Sequence, residues 1–220
     1  MPMLTPRRVT SEELLDEHDA PREDMERSLR DLRRINRWLG GVAIYRRLAR
    51  RFSPRSILDL GAGTADNLEA MPQVPLRIAL DFKLDHLLYL RAGSRVVRVV
   101  GDAQRLPFRD DAVDLATSAH FFHHFSPDEN VVILREALRV ARKGVAVNDT
   151  RRHYAPLLFV LLLSALRVVG RITRYDAPAS VRQGYTLDEA RAVAQRVEGG
   201  RAEVVRVWPF RFGLLLWKST

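Results

Sequence analysis

The sequence predicts an α/β fold: a mostly parallel, seven-stranded sheet with helices on both faces and an antiparallel final strand. Three observations indicate this. Short apolar runs alternate with helical stretches from residue 56 onward. A glycine-containing turn follows the first run, which favours a ligand at the end of that strand. Two C-terminal runs are joined across Pro209, and so short a link predicts an antiparallel pair. The predicted strands are 57–60, 76–80, 96–100, 112–117, 145–147, 202–208 and 210–217.

The first quarter of the chain reads as helical. A capping box at 10–13 opens one helix, and a second runs over about 22–39 and ends at Gly40–Gly41. We therefore predict an N-terminal helical extension or cap over residues 1–55 and one α/β domain over residues 56–220.

Composition restricts the chemistry. The chain has no cysteine, which excludes disulfides, cysteine-bound zinc and a thiol nucleophile. Its N-terminus lacks the apolar core of a signal peptide. A pair of histidines without a suitably spaced carboxylate is poor evidence for a metal, so none is expected. We expect a cytoplasmic protein, monomeric or homodimeric.

The net charge of +9 is typical of proteins that bind nucleic acid or an anionic membrane. Only three of the 36 basic residues are lysines, Lys83, Lys143 and Lys218, which indicates codon bias more than a selected phosphate-binding surface. Acidic residues are interspersed among the N-terminal arginines, which favours solvated helical faces. We expect no nucleic-acid partner, and a peripheral membrane contact stays an option.

Polar residues and glycines fall at the ends of predicted strands. Asp59 precedes a turn that contains Gly61 and Gly63, and glycine lets a backbone approach a ligand closely. Asp81 ends the second strand, where its carboxylate can accept hydrogen bonds from a ribose diol. Asp102 ends the third, where it can accept an adenine amino proton. Since parallel strands end at one edge of the sheet, these residues should converge.

These motifs resemble those of the class I S-adenosylmethionine-dependent methyltransferases, in the small-molecule branch often called methyltransferase type 11. An acid followed by G-x-G corresponds to Asp59, Gly61 and Gly63, and the second-strand acid to Asp81. The stretch 101–114 matches the family pattern GDA-x-x-LPF-x-D-x-x-F-D closely. The resemblance covers about residues 56 to 150 and implies a Rossmann-like sheet. Two departures are Val113, where phenylalanine is usual, and Ala65, where many members have a third glycine.

The resemblance implies S-adenosylmethionine as the cofactor and a role for each match. The glycine loop would meet the methionine part, with Asp59 orienting the loop or binding the amino group through water. Asp81 would hold the ribose, and Asp102 with Ala103 the adenine. Residues predicted to contact the cofactor are Arg33, Asn36, Asp59, Gly61, Ala62, Gly63, Asp81, Phe82, Gly101, Asp102, Ala103, Ser118 and His120.

Methyl transfer from a sulfonium needs alignment and exclusion of water, and a base only where the acceptor is protonated. The candidate catalytic residues are His123, His124 and His153 as bases, with Tyr154 as a positioner. His120 is a further candidate base. The histidines have an alternative structural interpretation, and the phenylalanines at 121, 122 and 125 either flank the base or pack in the core.

The end of the fifth strand should line the acceptor side, through Asn148, Asp149, Arg152 and His153, unless it is only a capped turn. The apolar run 155–166 is too short to span a bilayer, which takes about 20 residues. It is either a helix buried against the sheet, part of an apolar acceptor pocket or a membrane-facing surface, and we favour a buried helix that also walls the pocket.

A polar loop at Tyr175–Ser180 would close over the site. We therefore predict methyl transfer to oxygen or carbon of a lipophilic acceptor, such as a phenol, a hydroxyquinone or a polyketide-like ring.

Three alternatives to this function remain. The basic charge motivates an RNA methyltransferase, but Ser118–Phe121 stands where amino-group methylation has Asn/Asp-Pro-Pro-Tyr/Phe. A nicotinamide oxidoreductase would share the first G-x-G, but this sequence has no Tyr-x-x-x-Lys pair for hydride transfer. The third is a cofactor-binding module without turnover.

Overall fold

The computed structural model describes residues 5–9, 14, 22–90 and 93–219. Within these ranges seven strands form one sheet in the order β3-β2-β1-β4-β5-β7-β6. Strands β1 to β5 are parallel, and β7 runs antiparallel to both β5 and β6. The strands are β1 Ser56–Leu60, β2 Leu76–Asp81, β3 Val97–Val100, β4 Val113–Ala119, β5 Ala141–Thr150, β6 Gly200–Val207 and β7 Arg211–Lys218. The predicted fold class is confirmed.

Helices cover both faces of the sheet. They are α1 Arg22–Trp38, α2 Gly41–Arg50, α3 Asp66–Glu69, α4 Leu84–Leu88, α5 Pro127–Val140, α6 Tyr154–Ala165, α7 Arg171–Gln183 and α8 Leu187–Gln195, with a 3₁₀ turn at Phe122–His124. The predicted helix starts at α5 and α8 are confirmed, because Ser126 and Thr186 each form a capping box with a glutamate three residues on. The capping box predicted at 10–13 lies outside the described residues.

Alternate side chains of the strands enter two separate cores, as a sheet covered on both faces requires. Leu58 and Leu60 of β1 pack in one core with residues of α5 and α8. Ile57, which precedes Leu58 in sequence, packs in the other with residues of α2, α3 and α4. Because α2 shares this second core, it is part of the layer that covers the sheet. The boundary at residue 55 stays a prediction.

Helices α1, α6 and α7 lie over the carboxyl ends of the strands. The Ser28 hydroxyl of α1 lies 3.0 Å from the Thr173 hydroxyl of α7. The Gly170 N–H donates to Asp31 Oδ2 over 2.6 Å. These buried contacts fix α1 on α7 and close one side of the space above the sheet edge.

The predicted polar loop at Tyr175–Ser180 is wrong, because this segment is helical and lies inside α7. Its polar composition and Pro178 favoured a loop. Burial of Ile172 and Val181 on the two ends of α7 holds the segment in a helix despite that proline. Tertiary packing outweighs local propensity here.

Candidate active site

A cavity of about 630 Å³ opens at the carboxyl ends of β1 to β4, where the strand order reverses between β1 and β4. Open parallel sheets bind ligands at this switch point. The glycine loop after β1 forms one end of the cavity, and α6, α7 and the start of β7 form the other. The site therefore has a polar end next to the strand tips and an apolar end beneath α6.

The glycine loop takes left-handed backbone at three positions, with φ of +61° at Gly61, +51° at Gly63 and +53° at Ala65. A Cβ at Gly61 would lie 2.0 Å from the Phe121 ring, whereas one at Gly63 would meet nothing within 4 Å. Gly63 thus leaves open space beside its backbone for a ligand. The alanine at position 65 adopts the conformation for which relatives use a third glycine.

Asp81 links the end of β2 to the glycine loop. Its Oδ2 accepts from the Gly63 N–H over 2.9 Å, and its Oδ1 from the Lys83 N–H over 3.0 Å. Burial acts to raise the pKa of Asp81, but hydrogen bonds from His86 and from these backbone groups outweigh it and hold the pKa below its ordinary value. The carboxylate is therefore ionised in the cavity wall at neutral pH. Phe82, beside it, is 76% exposed and presents a flat apolar ring.

The third predicted strand end lies next to the second. The Gly101 N–H donates to the Asp81 carbonyl over 3.1 Å, which holds the two strand ends together. Asp102 Oδ1 accepts from the Gln104 N–H over 2.8 Å and stabilises the turn after β3. Gly101, Asp102 and Ala103 all line the cavity. The residues predicted for ribose and adenine are thus adjacent.

Two α1 residues reach the same cavity. Arg33 Nε donates to Asp66 Oδ2 over 2.8 Å, at the start of α3. Asn36 Oδ1 accepts from Arg211 Nη2 over 2.9 Å. Both α1 side chains line the wall, so the cap helix contributes to the site. Their contact with the cofactor carboxylate stays a prediction.

Asp59 and Ser118 are buried and lie outside the set of residues that line the cavity. Asp59 Oδ1 accepts from the Thr117 hydroxyl over 2.7 Å, and the Tyr45 hydroxyl lies 2.7 Å from that of Thr117. Burial raises the pKa of Asp59 to about 6, against the hydrogen bonds of Thr117 and Tyr45. Asp59 therefore contacts buried hydroxyls beneath the loop, and its predicted role in orienting the loop stays a prediction.

The acceptor end contains a buried histidine–aspartate pair. His123 Nδ1 lies 2.8 Å from Asp149 Oδ1, and the His123 N–H donates to Asp149 Oδ2 over 3.1 Å. Burial acts to raise the pKa of Asp149, but the charge and hydrogen bonds of His123 hold it well below its usual range. His123 lines the cavity, and His124 stacks on it with ring centroids 4.2 Å apart.

His120 and Arg211 place two unsatisfied nitrogens in the cavity wall. His120 Nε2 and Arg211 Nη1 are buried, and neither makes a hydrogen bond with the residues described. Burial holds the pKa of His120 well below its ordinary value, with Arg211 adding to the effect. Burial also lowers the pKa of Arg211 to about 10, against the attraction of Asp149. His120 is therefore neutral and Arg211 cationic at neutral pH.

Sequence reasoning missed Arg211. It reaches the site because β7 pairs antiparallel with β5 and sets Arg211 opposite Thr150, at the carboxyl edge of the sheet. A basic residue at the start of a closing antiparallel strand was the available signal. In an arginine-rich chain that signal does not stand out.

Other predicted residues lie elsewhere. His153 Nδ1 accepts from the Ala155 N–H and caps α6, and Tyr154 is exposed; neither lines the cavity. Arg152 donates to the Gly184 carbonyl and contacts Glu189, so it ties β5 to the start of α8. Asn148 is buried, and its side-chain amide makes no hydrogen bond with the residues described.

The aromatic cluster after β4 divides between core and cavity. Phe122 is fully buried in the core against Tyr185 and Phe212. Phe121 and Phe125 form an edge-to-face pair with centroids 4.7 Å apart, and both line the cavity. The core interpretation thus holds for Phe122, whereas the flanking of a base by Phe121 and Phe125 stays a prediction.

The described residues contain no group of three or more side chains that could hold a metal ion. Of the helices in the described ranges, none has both the length and the apolar character needed to cross a bilayer.

The strand order, the antiparallel closing strand and the glycine loop entering the cavity define a class I methyltransferase fold. Residues 58–147 match the methyltransferase domain family. This match over residues 58–147 confirms the resemblance to the class I S-adenosylmethionine-dependent methyltransferases that the motifs predicted. The residues present fit that cofactor, since Gly63 leaves open space, Asp81 is ionised and Phe82 is an exposed ring.

Curated relatives are demethylmenaquinone methyltransferases. That of Roseiflexus castenholzii is 38% identical over 109 residues, which are 46% of this chain and 45% of the relative. One from a Mycobacterium species is 31% identical over 167 residues, 72% of this chain and 63% of the relative. The chain thus spans about half the length of the first of these relatives.

Solved structures share the fold. A plantazolicin methyltransferase in complex with SAH has a TM-score of 0.71 at 11% identity, with 94% of this chain and 93% of that chain covered. A SAM-dependent methyltransferase from Aquifex aeolicus has a TM-score of 0.54 at 21% identity, with 74% and 82% covered. The RNA methyltransferase alternative gains no support from these relatives.

Proposed function

We propose that this protein transfers a methyl group from S-adenosylmethionine to a small lipophilic acceptor that carries an ionisable hydroxyl group or an acidic carbon. The observation that carries the proposal is one continuous cavity with two different ends. Gly63, Asp81 and Asp102 line the end suited to an amino-acid tail, a ribose and a base. His123 and Arg211 lie at the other end, beneath an apolar wall.

The apolar wall supports a lipophilic acceptor. It consists of Leu29, Leu32, Phe159, Val160 and Phe210 from α1, α6 and the turn before β7. Burying an apolar ring against such side chains contributes about 25 cal/mol per Å² of surface removed from water. The relatives are named as methyltransferases of demethylmenaquinone, which is a lipophilic quinone. Their name therefore agrees with a lipophilic acceptor.

The bound cofactor supplies an activated methyl carbon on a sulfonium, so the protein must mainly align the acceptor and exclude water. Asp149 holds His123 through Nδ1, which makes Nε2 the basic nitrogen of that ring. In its neutral form, with the proton on Nδ1 facing Asp149, His123 would take the proton of the acceptor on Nε2. Arg211 Nη1, a buried cationic donor, would hold the acceptor oxygen and favour its ionised form.

A screen with labelled methyl groups tests the proposal. Phenols, hydroxyquinones, polyketide-like rings, fatty acids and tRNA are each incubated with labelled S-adenosylmethionine and the full chain. We expect turnover of a hydroxylated ring, and calorimetry should show binding of S-adenosylhomocysteine and none of NADH. Faster methylation of tRNA than of every ring compound would contradict the proposed acceptor. Absence of S-adenosylhomocysteine binding would contradict the proposed activity altogether.

A further inference from the structure

Helix α6 has an outer face of exposed leucines. Leu158, Leu161, Leu162 and Leu166 recur at helical spacing, and therefore lie on one side of the helix. Leu158 is 64% exposed and Leu162 is 56% exposed. The prediction of a buried helix is thus wrong for this face. Large apolar side chains grouped in this way indicate an interaction surface.

The inner face of the same helix forms the cavity wall. Pro156, Phe159 and Val160 line the cavity, and Leu157 and Val160 pack against Val181 of α7. The pocket-wall part of the prediction therefore agrees with the structure. Only the width of α6 separates the cavity from its exposed leucines. A molecule held at the outer face would lie next to the acceptor end.

Within the stretch of sequence that carries this face, every charged residue is basic. The sequence from residue 154 to residue 175 contains no aspartate or glutamate. Arg167 and Arg171 follow the leucines and are exposed, and neither forms an ion pair within the described part of the chain. The α6 face therefore combines apolar side chains with cations that form no ion pair among the described residues. Such a face complements a partner that has an apolar interior and an anionic outer layer.

Exposed aromatic side chains lie on α6 and on the elements that pack against it. Tyr154 and Tyr175 are exposed, as is Trp208 in the turn before β7. The turn is continuous with α6, since the Phe210 and Phe159 rings lie 5.8 Å apart. Tryptophan and tyrosine concentrate at the boundary between lipid tails and water, where one end of the ring is apolar and the other wet.

We propose that the outer face of α6 docks on an anionic lipid bilayer, with the helix lying in the plane of the membrane surface. Its 12 residues are too few to cross a membrane but enough for its exposed leucines to contact the membrane surface in plane. The net charge of +9 draws the whole chain to an anionic surface and disfavours a second copy of the same basic face. Docking needs no methyl transfer, whereas delivery of the acceptor from lipid to cavity rests on the proposed function.

Vesicle co-sedimentation of the full chain tests the docking. We expect binding to vesicles of phosphatidylcholine with added phosphatidylglycerol to exceed binding to phosphatidylcholine alone, and to weaken with added salt. The variant Leu158→Ser/Leu162→Ser should bind at least about tenfold more weakly, because two exposed apolar anchors are lost. Arg167→Glu/Arg171→Glu should lose about tenfold or more on the anionic vesicles, at about 1 kcal/mol per basic residue near the surface.

A matched control exists on α4. Leu84 and Leu88 are 55% and 61% exposed at the same spacing, so Leu84→Ser/Leu88→Ser makes the same chemical change away from α6. It should bind vesicles like the unchanged chain. Equal binding by the α6 leucine variant would overturn the proposal. So would a dimer in solution that this variant dissociates, since a second copy would then be the occupant. Binding of S-adenosylhomocysteine should persist in every variant, which separates failure of docking from failure of the proposed function.

Discussion

His123 and Asp149 are 26 residues apart in the chain, yet the imidazole Nδ1 lies 2.8 Å from the carboxylate Oδ1. The Thr150 N–H also donates to this carboxylate, over 2.6 Å. The parallel pairing of β4 and β5 brings these residues together, since His123 follows the end of β4 and Asp149 lies one position before the end of the adjacent β5. Asp149 is thus a fixed buried anion that orients one cavity histidine.

We expect His123→Ala to lower kcat by about 10²- to 10⁴-fold, the usual contribution of a positioned acid–base group. Calorimetric affinity for S-adenosylhomocysteine should not change, because His123 lies at the acceptor end. His124→Ala is the matched control, because it removes the ring that packs on His123 and keeps His123 with its hydrogen bond to Asp149. Equal losses in the two variants would contradict a specific role for His123.

Asp81→Ala should weaken binding of S-adenosylhomocysteine by about 1–3 kcal/mol, because a charge-assisted hydrogen bond to the ribose is lost. The variant also removes the acceptor for the Gly63 N–H, so the loop itself loosens. Calorimetry measures the dissociation constant. Asp85→Ala, on the exposed side of α4, is the control and should bind normally. An unchanged dissociation constant in Asp81→Ala would remove this residue from the site.

Gly63→Ala should abolish tight binding of S-adenosylhomocysteine, because its Cβ would extend into the open space beside the loop. Gly93→Ala is a stability control, since Gly93 also has positive φ and open space around a Cβ. Both variants should lose about 1 kcal/mol of unfolding free energy from the strained backbone. Urea unfolding and calorimetry together separate the two effects. Similar binding by both variants would refute ligand contact at Gly63.

The residues at the strand tips were predictable because the signal is local. A strand-length apolar run followed by glycines fixes Gly61 and Gly63 at a strand end, and parallel pairing then brings Asp81 beside them. Arg211 was not predictable, since its position depends on the antiparallel register of β7 with β5. Nor was the helical state of the segment around Pro178, which packing against α6 decides.

Arg211→Met should lower turnover of the acceptor and raise stability. The guanidinium is buried with the neutral Asn36 amide as its hydrogen-bond partner, and Nη1 makes no hydrogen bond with the described residues. Burial lowers the pKa of Arg211 from 12.5 to about 10 even against the attraction of Asp149, so keeping this charge in the folded protein costs about 3 kcal/mol at neutral pH, and the variant escapes that cost. Urea unfolding measures this gain, and initial rates measure the loss. A variant that is both less stable and fully active would contradict a substrate-binding role.

Replacing Asp59 by asparagine should stabilise the protein by an amount that depends on pH. Burial raises the pKa of this carboxyl from 3.8 to about 6 in the folded protein. Between these values the folded state binds more protons than the unfolded state, so the free energy of unfolding falls as pH rises through about 6. The asparagine in Asp59→Asn keeps an oxygen that can accept the Thr117 hydrogen bond. Its side chain does not ionise, so it never places a charge in this buried position. At about pH 8 the variant should therefore be more stable by about 3 kcal/mol.

This advantage should disappear below about pH 4, where Asp59 is protonated in both folded and unfolded states. Urea unfolding at several pH values measures it. Asp114→Asn supplies a control of opposite sign. Burial acts to raise the pKa of Asp114, but the Arg55 N–H and Arg142 outweigh it and lower the pKa. Its carboxylate therefore stabilises the fold at neutral pH, and that contribution is lost as pH falls. A stability difference for Asp59→Asn that stays constant with pH would show that packing, not the buried charge, sets the energy of this position.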